Sequence, residues 1–129
     1  MTGSNRLLDS RRHARTTAHL DAVQIGPEDL LERLARVLGR HVLAVIAGRD
    51  VRTVQRWLAG GLLSAPDERR LRDAYQVYLL LAAVEGDHTI RAWFVGMNPQ
   101  LDDEAPAEVL GEGQSRNVMA AARAFVNGG

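Results

Sequence analysis

The sequence predicts an all-α protein with a helix-turn-helix near its front and a small helical domain behind it. Three observations carry that expectation. Apolar residues recur at helical spacing in successive segments, glycine and proline fall between those segments, and no stretch of any length alternates with a period of two. There is no internal repeat.

Residues 1–27 show weak periodicity and crowd Arg6, Arg11, Arg12 and Arg15 together before Gly26 and Pro27 close the segment. They read as a basic arm, either touching a nucleic-acid backbone or simply solvated. Pro27 suits a first helical turn, and Glu28 and Asp29 complement a helix N-terminus. Leu30, Leu31, Leu34, Ala35 and Leu38 then make a helical stripe that Gly39 ends. A second helix carries Val42, Leu43, Val45 and Ile46 and stops at Gly48. Asp50 is a credible N-cap for a third, from Val51 to about Ala59, which Gly60 and Gly61 terminate. Residues 28–65 thus form one unit of three short helices.

The second unit, residues 66–129, opens with a long helix whose strongly helical pattern runs from Glu68 to Val84. Its C-terminal half, residues 74–84, is apolar nearly all round, which calls for burial on several sides and suggests a homodimer within a larger hetero-oligomeric complex. After Gly86 and Asp87, a short helix around Thr89 to Val95 has Ile90, Trp93 and Phe94 as its apolar face. A turn-rich stretch, Gly96 to Pro99, precedes Leu101 and the acidic run Asp102, Asp103, Glu104. Pro106 starts another short helix through Leu110, with Gly111 and Gly113 at its end. Ser115 is expected to cap a last helix containing Val118, Ala121, Ala122 and Phe125, before a short tail.

Charge divides the chain where the helices do. Net charge is zero, but residues 1–60 hold ten arginines against six acids (+4), and residues 61–129 hold six against ten (−4). A basic half can face phosphate while an acidic half faces something else. All sixteen basic residues are arginine, the better bidentate partner for phosphate and guanine, although GC-rich coding gives the same bias.

The strongest local motif spans Leu43 to Leu58. Ala44 is small where two helices approach, and Gly48, four residues on, permits a left-handed turn. Val54 and Trp57 lie three apart, able to pack on the preceding helix. Arg49, Arg52, Thr53, Gln55 and Arg56 are left to point outward at the start of the third helix. Arg pairs with guanine edges, Gln with adenine, and Thr or Arg with phosphate, so these five are the candidate DNA-reading residues. Arg49 departs from the pattern, because the position after the turn glycine is usually apolar. A helical pair with a solvated charged face is the other reading. Against it, Arg52 and Arg56 are i, i+4 neighbours with no acid between them.

Beyond that motif the order Trp57-Leu58-Ala59-Gly60-Gly61, Pro66 to Arg72, Ala92-Trp93-Phe94, Asn98-Pro99-Gln100-Leu101 and Pro106 to Leu110 resembles the Xre/MbcA/ParS antitoxin family, over residues from about 30 to 126. The resemblance implies an Xre-like helix-turn-helix followed by a toxin-binding domain. It implies a RES-domain toxin that degrades NAD as partner, whose active-site entrance the antitoxin's C-terminal end blocks, and an operator DNA that the complex represses. NAD chemistry would belong to the partner, and this chain would carry no cofactor. The toxin-binding residues implied are Trp93, Asn98, Pro99, Arg123, Phe125, Val126 and Asn127. The acids at 102–104, 108 and 112 would complement a basic dinucleotide pocket. Trp93 also reads as a core anchor, and Asn98-Pro99 as a turn.

An enzyme is not expected. His13, His19, His41 and His88 lack metal-ligand spacing, cysteine is absent, and there is neither a phosphate-cradling glycine loop nor a dinucleotide fingerprint. Asp102 to Glu104 lack the alternation of a calcium loop. No apolar run reaches membrane-span length, and Met1 to Leu20 lack the apolar segment of a signal peptide, so a cytoplasmic protein is expected. Two further readings stay open: a stand-alone helix-turn-helix regulator with a C-terminal dimerisation domain, and an interaction module that has lost DNA binding.

Overall fold

A computed structural model describes residues 25–128; most of the basic arm expected over 1–27 lies outside the described residues. Among the described residues there are seven α-helices, one 3-10 turn and no strand. The helices are α1 (Pro27–Leu38), α2 (Arg40–Ala47), α3 (Val51–Leu58), α4 (Ala65–Ala82), α5 (Asp87–Val95), α6 (Pro106–Gly111) and α7 (Ser115–Val126), with the 3-10 turn at Pro99–Leu101. No helix among them is long and apolar enough to cross a membrane.

Several helices start where the sequence has a capping acceptor or a proline. Gly26 precedes Pro27, whose missing N–H falls where no intrahelical bond is needed. Ser64 caps α4: its Oγ accepts from the Asp67 N–H at 3.2 Å and donates to Asp67 Oδ2 at 2.9 Å. This fixes the start of α4 at Ala65, a turn earlier than the periodicity alone marks. The last helix differs from expectation. Gln114 is its N-cap and gives no side-chain cap, while Ser115 lies in the first turn with its hydroxyl bonded to Asp73.

The 18-residue α4 is the central element, packed by α1, α2, α5 and α7. That explains why its C-terminal half is so apolar. Ala74, Tyr75, Val77, Leu80 and Leu81 are buried on different sides by neighbours of the same chain. Much of the apolarity that pointed to a homodimer is therefore covered within one chain, while Ala82, Ala83 and Val84 remain exposed. The helix stops at Ala82, two residues short of the expected Val84, where the chain leaves the core and Val84 emerges half-exposed.

The buried apolar residues from Leu30 to Val126 form one cluster. The units expected at 28–65 and 66–129 both contribute to it, and the most extensive helix pairings include α2 with α6 and α4 with α7. A Cβ on Gly111 would fall 2.3 Å from the Val45 carbonyl oxygen, so only glycine lets α6 end so close to α2. Arg70 of α4 spans that junction. Its Nη1 donates to the Gly111 carbonyl at 3.0 Å and to the Ile46 carbonyl at 3.4 Å. One guanidinium thereby satisfies orphan carbonyls at two helix ends, where positive charge also suits the helix dipoles.

A candidate nucleic-acid interface and a second, apolar face

The turn between α2 and α3 is built by backbone bonds. Gly48 is left-handed (φ 66°, ψ 34°), its N–H donates to the Val45 carbonyl, and the Arg49 N–H donates to Ala44. These two bonds make a Schellman motif, whose reversed residue glycine adopts without steric cost. Asp50 then caps α3, accepting from the Thr53 N–H at 2.9 Å and from Thr53 Oγ1 at 2.8 Å. Those bonds, backbone first, hold the exposed Asp50 carboxyl below its usual range, with smaller contributions from Arg52 and Arg56.

Val54 and Trp57 are 0% and 4% exposed, so α3 is pinned by one narrow ridge. The five candidate reading residues then separate. Arg52, Gln55 and Arg56 are exposed, and neither arginine has an ion pair among the described residues. Thr53 is half-buried, and its hydroxyl is used in the cap. Arg49 turns to the start of α4, where Nε and Nη2 reach the two carboxylate oxygens of Asp67 at 3.0 and 3.3 Å. Its side chain remains 49% exposed while that of Asp67 is 11% exposed, so Arg49 neutralises a buried acid and retains an open flank. The unexpected Arg after the turn glycine thus joins the first unit to the second.

The residues implied for partner binding also divide. Trp93 meets Phe125 edge-on, ring centroids 6.4 Å apart, and lies across Phe94 at 5.4 Å. Trp93 is half-buried, Phe94 fully buried and Phe125 36% exposed. Next to Trp93 in the chain, Val95 and Met97 are exposed, Met97 to 81%. Sequence reading passed over both, since neither breaks the helical or turn pattern around it. Asn98 is buried and organises the loop. Its Oδ1 accepts from Gln100 N–H at 2.9 Å, its carbonyl accepts from Leu101 and Asp103, and its N–H donates to the Glu104 carbonyl. Pro99 is exposed at the start of the 3-10 turn. Val126 belongs to the core, not to the surface. Asn127 is exposed, and its N–H closes α7 on the Arg123 carbonyl.

The last helix is therefore not a free tail. Val118, Ala121, Ala122 and Val126 are sealed into the core, so deleting 119–129 removes core rather than a detachable plug. Arg123 leaves the face that holds Phe125. It lines a groove between α4 and α7 together with Ser115, Arg116 and Met119. Two residues on a helix are about 200° apart, so this separation was readable from the sequence.

The acids 102, 103, 104, 108 and 112 are all exposed. The neighbouring Glu112 charge, then desolvation, a Glu112 hydrogen bond and Asp102, raise the Glu104 carboxyl above its usual range. Comparison with family models, with curated proteins and with solved structures finds no match to this chain.

Proposed function

We propose that this chain is the antitoxin of a type II toxin–antitoxin pair. In this reading it neutralises a RES-domain, NAD-degrading toxin by covering the active-site entrance, and it represses its own operon by reading operator DNA through α3. It performs no catalysis and needs no cofactor. The supporting observation is the placement of two surfaces. Arg52, Gln55 and Arg56 stand exposed on a helix fixed by Val54 and Trp57, and a partly exposed Trp93–Phe125 pair joins α5 to α7, with Val95 and Met97 exposed further along the chain. A short rigid helix with guanidinium and amide groups outward has the chemistry of major-groove readout, Arg for guanine and Gln for adenine. A partly exposed aromatic pair, and an exposed methionine, have the chemistry of a protein contact. The exposed acids at 102–104, 108 and 112 add charge complementary to a basic dinucleotide pocket. Because α7 is packed through Val126, the blocking element in this reading is a folded face rather than a threaded tail. The antitoxin identity rests on the sequence resemblance to the Xre/MbcA/ParS family, and the surfaces supply the division of labour.

Co-expression with the product of the adjacent gene tests it. Arg52→Ala with Arg56→Ala is expected to weaken binding to the upstream operator while cells stay protected. Met97→Asp with Phe125→Asp is expected to abolish protection and co-purification while DNA binding persists. A chain that binds the operator but never a toxin is instead a stand-alone regulator.

A further inference from the structure

We propose that the groove between α4 and α7 is a second nucleic-acid contact, holding the phosphate backbone through Arg69, Arg116 and Arg123. This deepens the DNA-reading proposal and rests on it. A groove of about 510 Å³ lined by Pro66, Arg69, Arg70 and Gly113 runs along α4. A second, of about 390 Å³, continues it past Ser115, Arg116 and Arg123 and shares Asp73 and Gln76 with the first. Arg72 at its edge is paired to Glu68 at 2.9 Å. Apart from that pair, the two grooves expose four arginines to one carboxylate, Asp73.

The groups around that carboxylate are accounted for. Asp73 is half-buried and bonded to Ser115, and it feels Arg70 and Arg69. Arg70 donates to the Ile46 and Gly111 carbonyls, which carry no formal charge, so Asp73 is the carboxylate its charge acts on. Arg69, Arg116 and Arg123 are exposed and without an ion pair among the described residues.

Two features favour a phosphate backbone over an acidic protein segment. The first is continuity with the reading helix. Arg70 reaches Ile46 in the last turn of α2, and a Cβ on Gly48 would lie 3.7 Å from its Nη1. Arg70 thereby ties the arginine-lined groove to the turn that launches α3. The second is spacing. Arg116 and Arg123 are seven residues apart on α7, hence on one face and about 10.5 Å apart along it. A strand of B-DNA presents a phosphate about every 3.4 Å along the axis, so two such arginines address separated phosphates of one strand. Of the side chains lining the grooves only Pro66 and Met119 are apolar, few to anchor a peptide. Phosphate contacts position a protein without reading sequence, which complements the base-facing role given to α3.

The test uses the full chain and two duplexes, the DNA directly upstream of its own gene and a scrambled duplex of the same length, titrated across a salt series. Replacing Arg69, Arg116 and Arg123 together by Ala is expected to weaken binding to both duplexes alike and to flatten the log–log salt slope by about 3, one per lost contact. Replacing the same three by Lys is expected to retain most of the slope, which a purely structural role does not predict. Arg52→Ala with Arg56→Ala is expected to reduce the preference for the upstream duplex. An unchanged slope in the Ala triple, with that preference still lost in the double variant, overturns the groove and leaves α3 as reader. A flattened slope with the preference intact in the double variant supports the groove and removes α3. Absence of binding to either duplex by the unaltered chain overturns both.

Discussion

The pairs α2–α3 and α6–α7 end their first helices alike and begin their second helices differently. In both, a glycine with positive φ, Gly48 or Gly113, closes a Schellman motif; the 6→1 bonds run from Arg49 to Ala44 and from Gln114 to Val109. The two first helices lie against each other at Gly111 and share Arg70 across their carbonyl ends. Then they diverge. Helix α3 is capped by a side chain and buries only Val54 and Trp57. Helix α7 has no side-chain cap and buries four residues against α4 and its neighbours. A helix of eight residues is too short to be stable by propensity alone, so cap and ridge together fix α3 while most of its surface stays free. Burial fixes α7, and its free surface is what remains between core positions. One motif therefore serves presentation in the first pair and closure of the core in the second.

Substitutions at the junction sharpen this contrast. The largest expected effect is Gly111→Ala, whose methyl would enter the Val45 carbonyl. Backbone atoms cannot rotate away, so a loss at the upper end of the overpacking range, about 3 kcal/mol, is expected in urea denaturation. At Gly48 the nearest atoms to an added Cβ are 3.4 Å away, so Gly48→Ala costs only the left-handed backbone, about 1 kcal/mol. Equal losses at the two positions would break the distinction between contact and conformation.

Next comes Arg70→Met, which keeps the stem and strips two carbonyls of their donor. About 1–3 kcal/mol is expected, because part-buried acceptors are left unsatisfied. The loss should appear at both turns, as faster amide exchange at Arg49 and at Gln114. Exchange changed at only one turn would show that the guanidinium serves a single helix end.

The smallest effect is Asp73→Asn. Desolvation raises the Asp73 carboxyl above its usual range against the Ser115 hydrogen bond and the Arg70 and Arg69 charges. With the folded-state pKa above the unfolded one, the folded chain holds a proton that the unfolded chain has released. Stability is therefore greatest below the ordinary carboxylate range and falls as pH climbs through the raised value. The Asn variant is expected to lose that slope in thermal melts between pH 3 and pH 7. A variant that keeps it places the titration on another group.

Much of the fold was legible because it depends on short-range pattern. Helical spacing located each helix among the described residues, and Gly48 and Asp50 marked a turn and a cap from their own chemistry. What stayed hidden depends on residues far apart in the chain. Arg70 and Gly111 are ordinary in sequence and become critical only when α2 and α6 meet. Arg49 stood out as an exception to its motif, but its partner Asp67, eighteen residues on, could not be inferred. The apolar half of α4 was clear, yet periodicity cannot count how many neighbours of the same chain will cover it. Ser115 has the chemistry of a cap, and only the approach of Asp73 explains why its hydroxyl faces elsewhere. Of the candidate site, the exposure of Arg52, Gln55 and Arg56 followed from Val54 and Trp57. The Trp93–Phe125 pairing, across more than thirty residues, did not.

The most direct test of separate surfaces is a backbone amide shift map of the isotopically labelled full chain, titrated with a duplex carrying the DNA upstream of its gene. The account predicts the largest perturbations along Val51–Leu58 and smaller ones around Arg116 and Arg123, with Trp93 and Met97 unmoved. Shifts confined to Trp93, Met97 and Phe125, with Arg52, Gln55 and Arg56 silent, would contradict it.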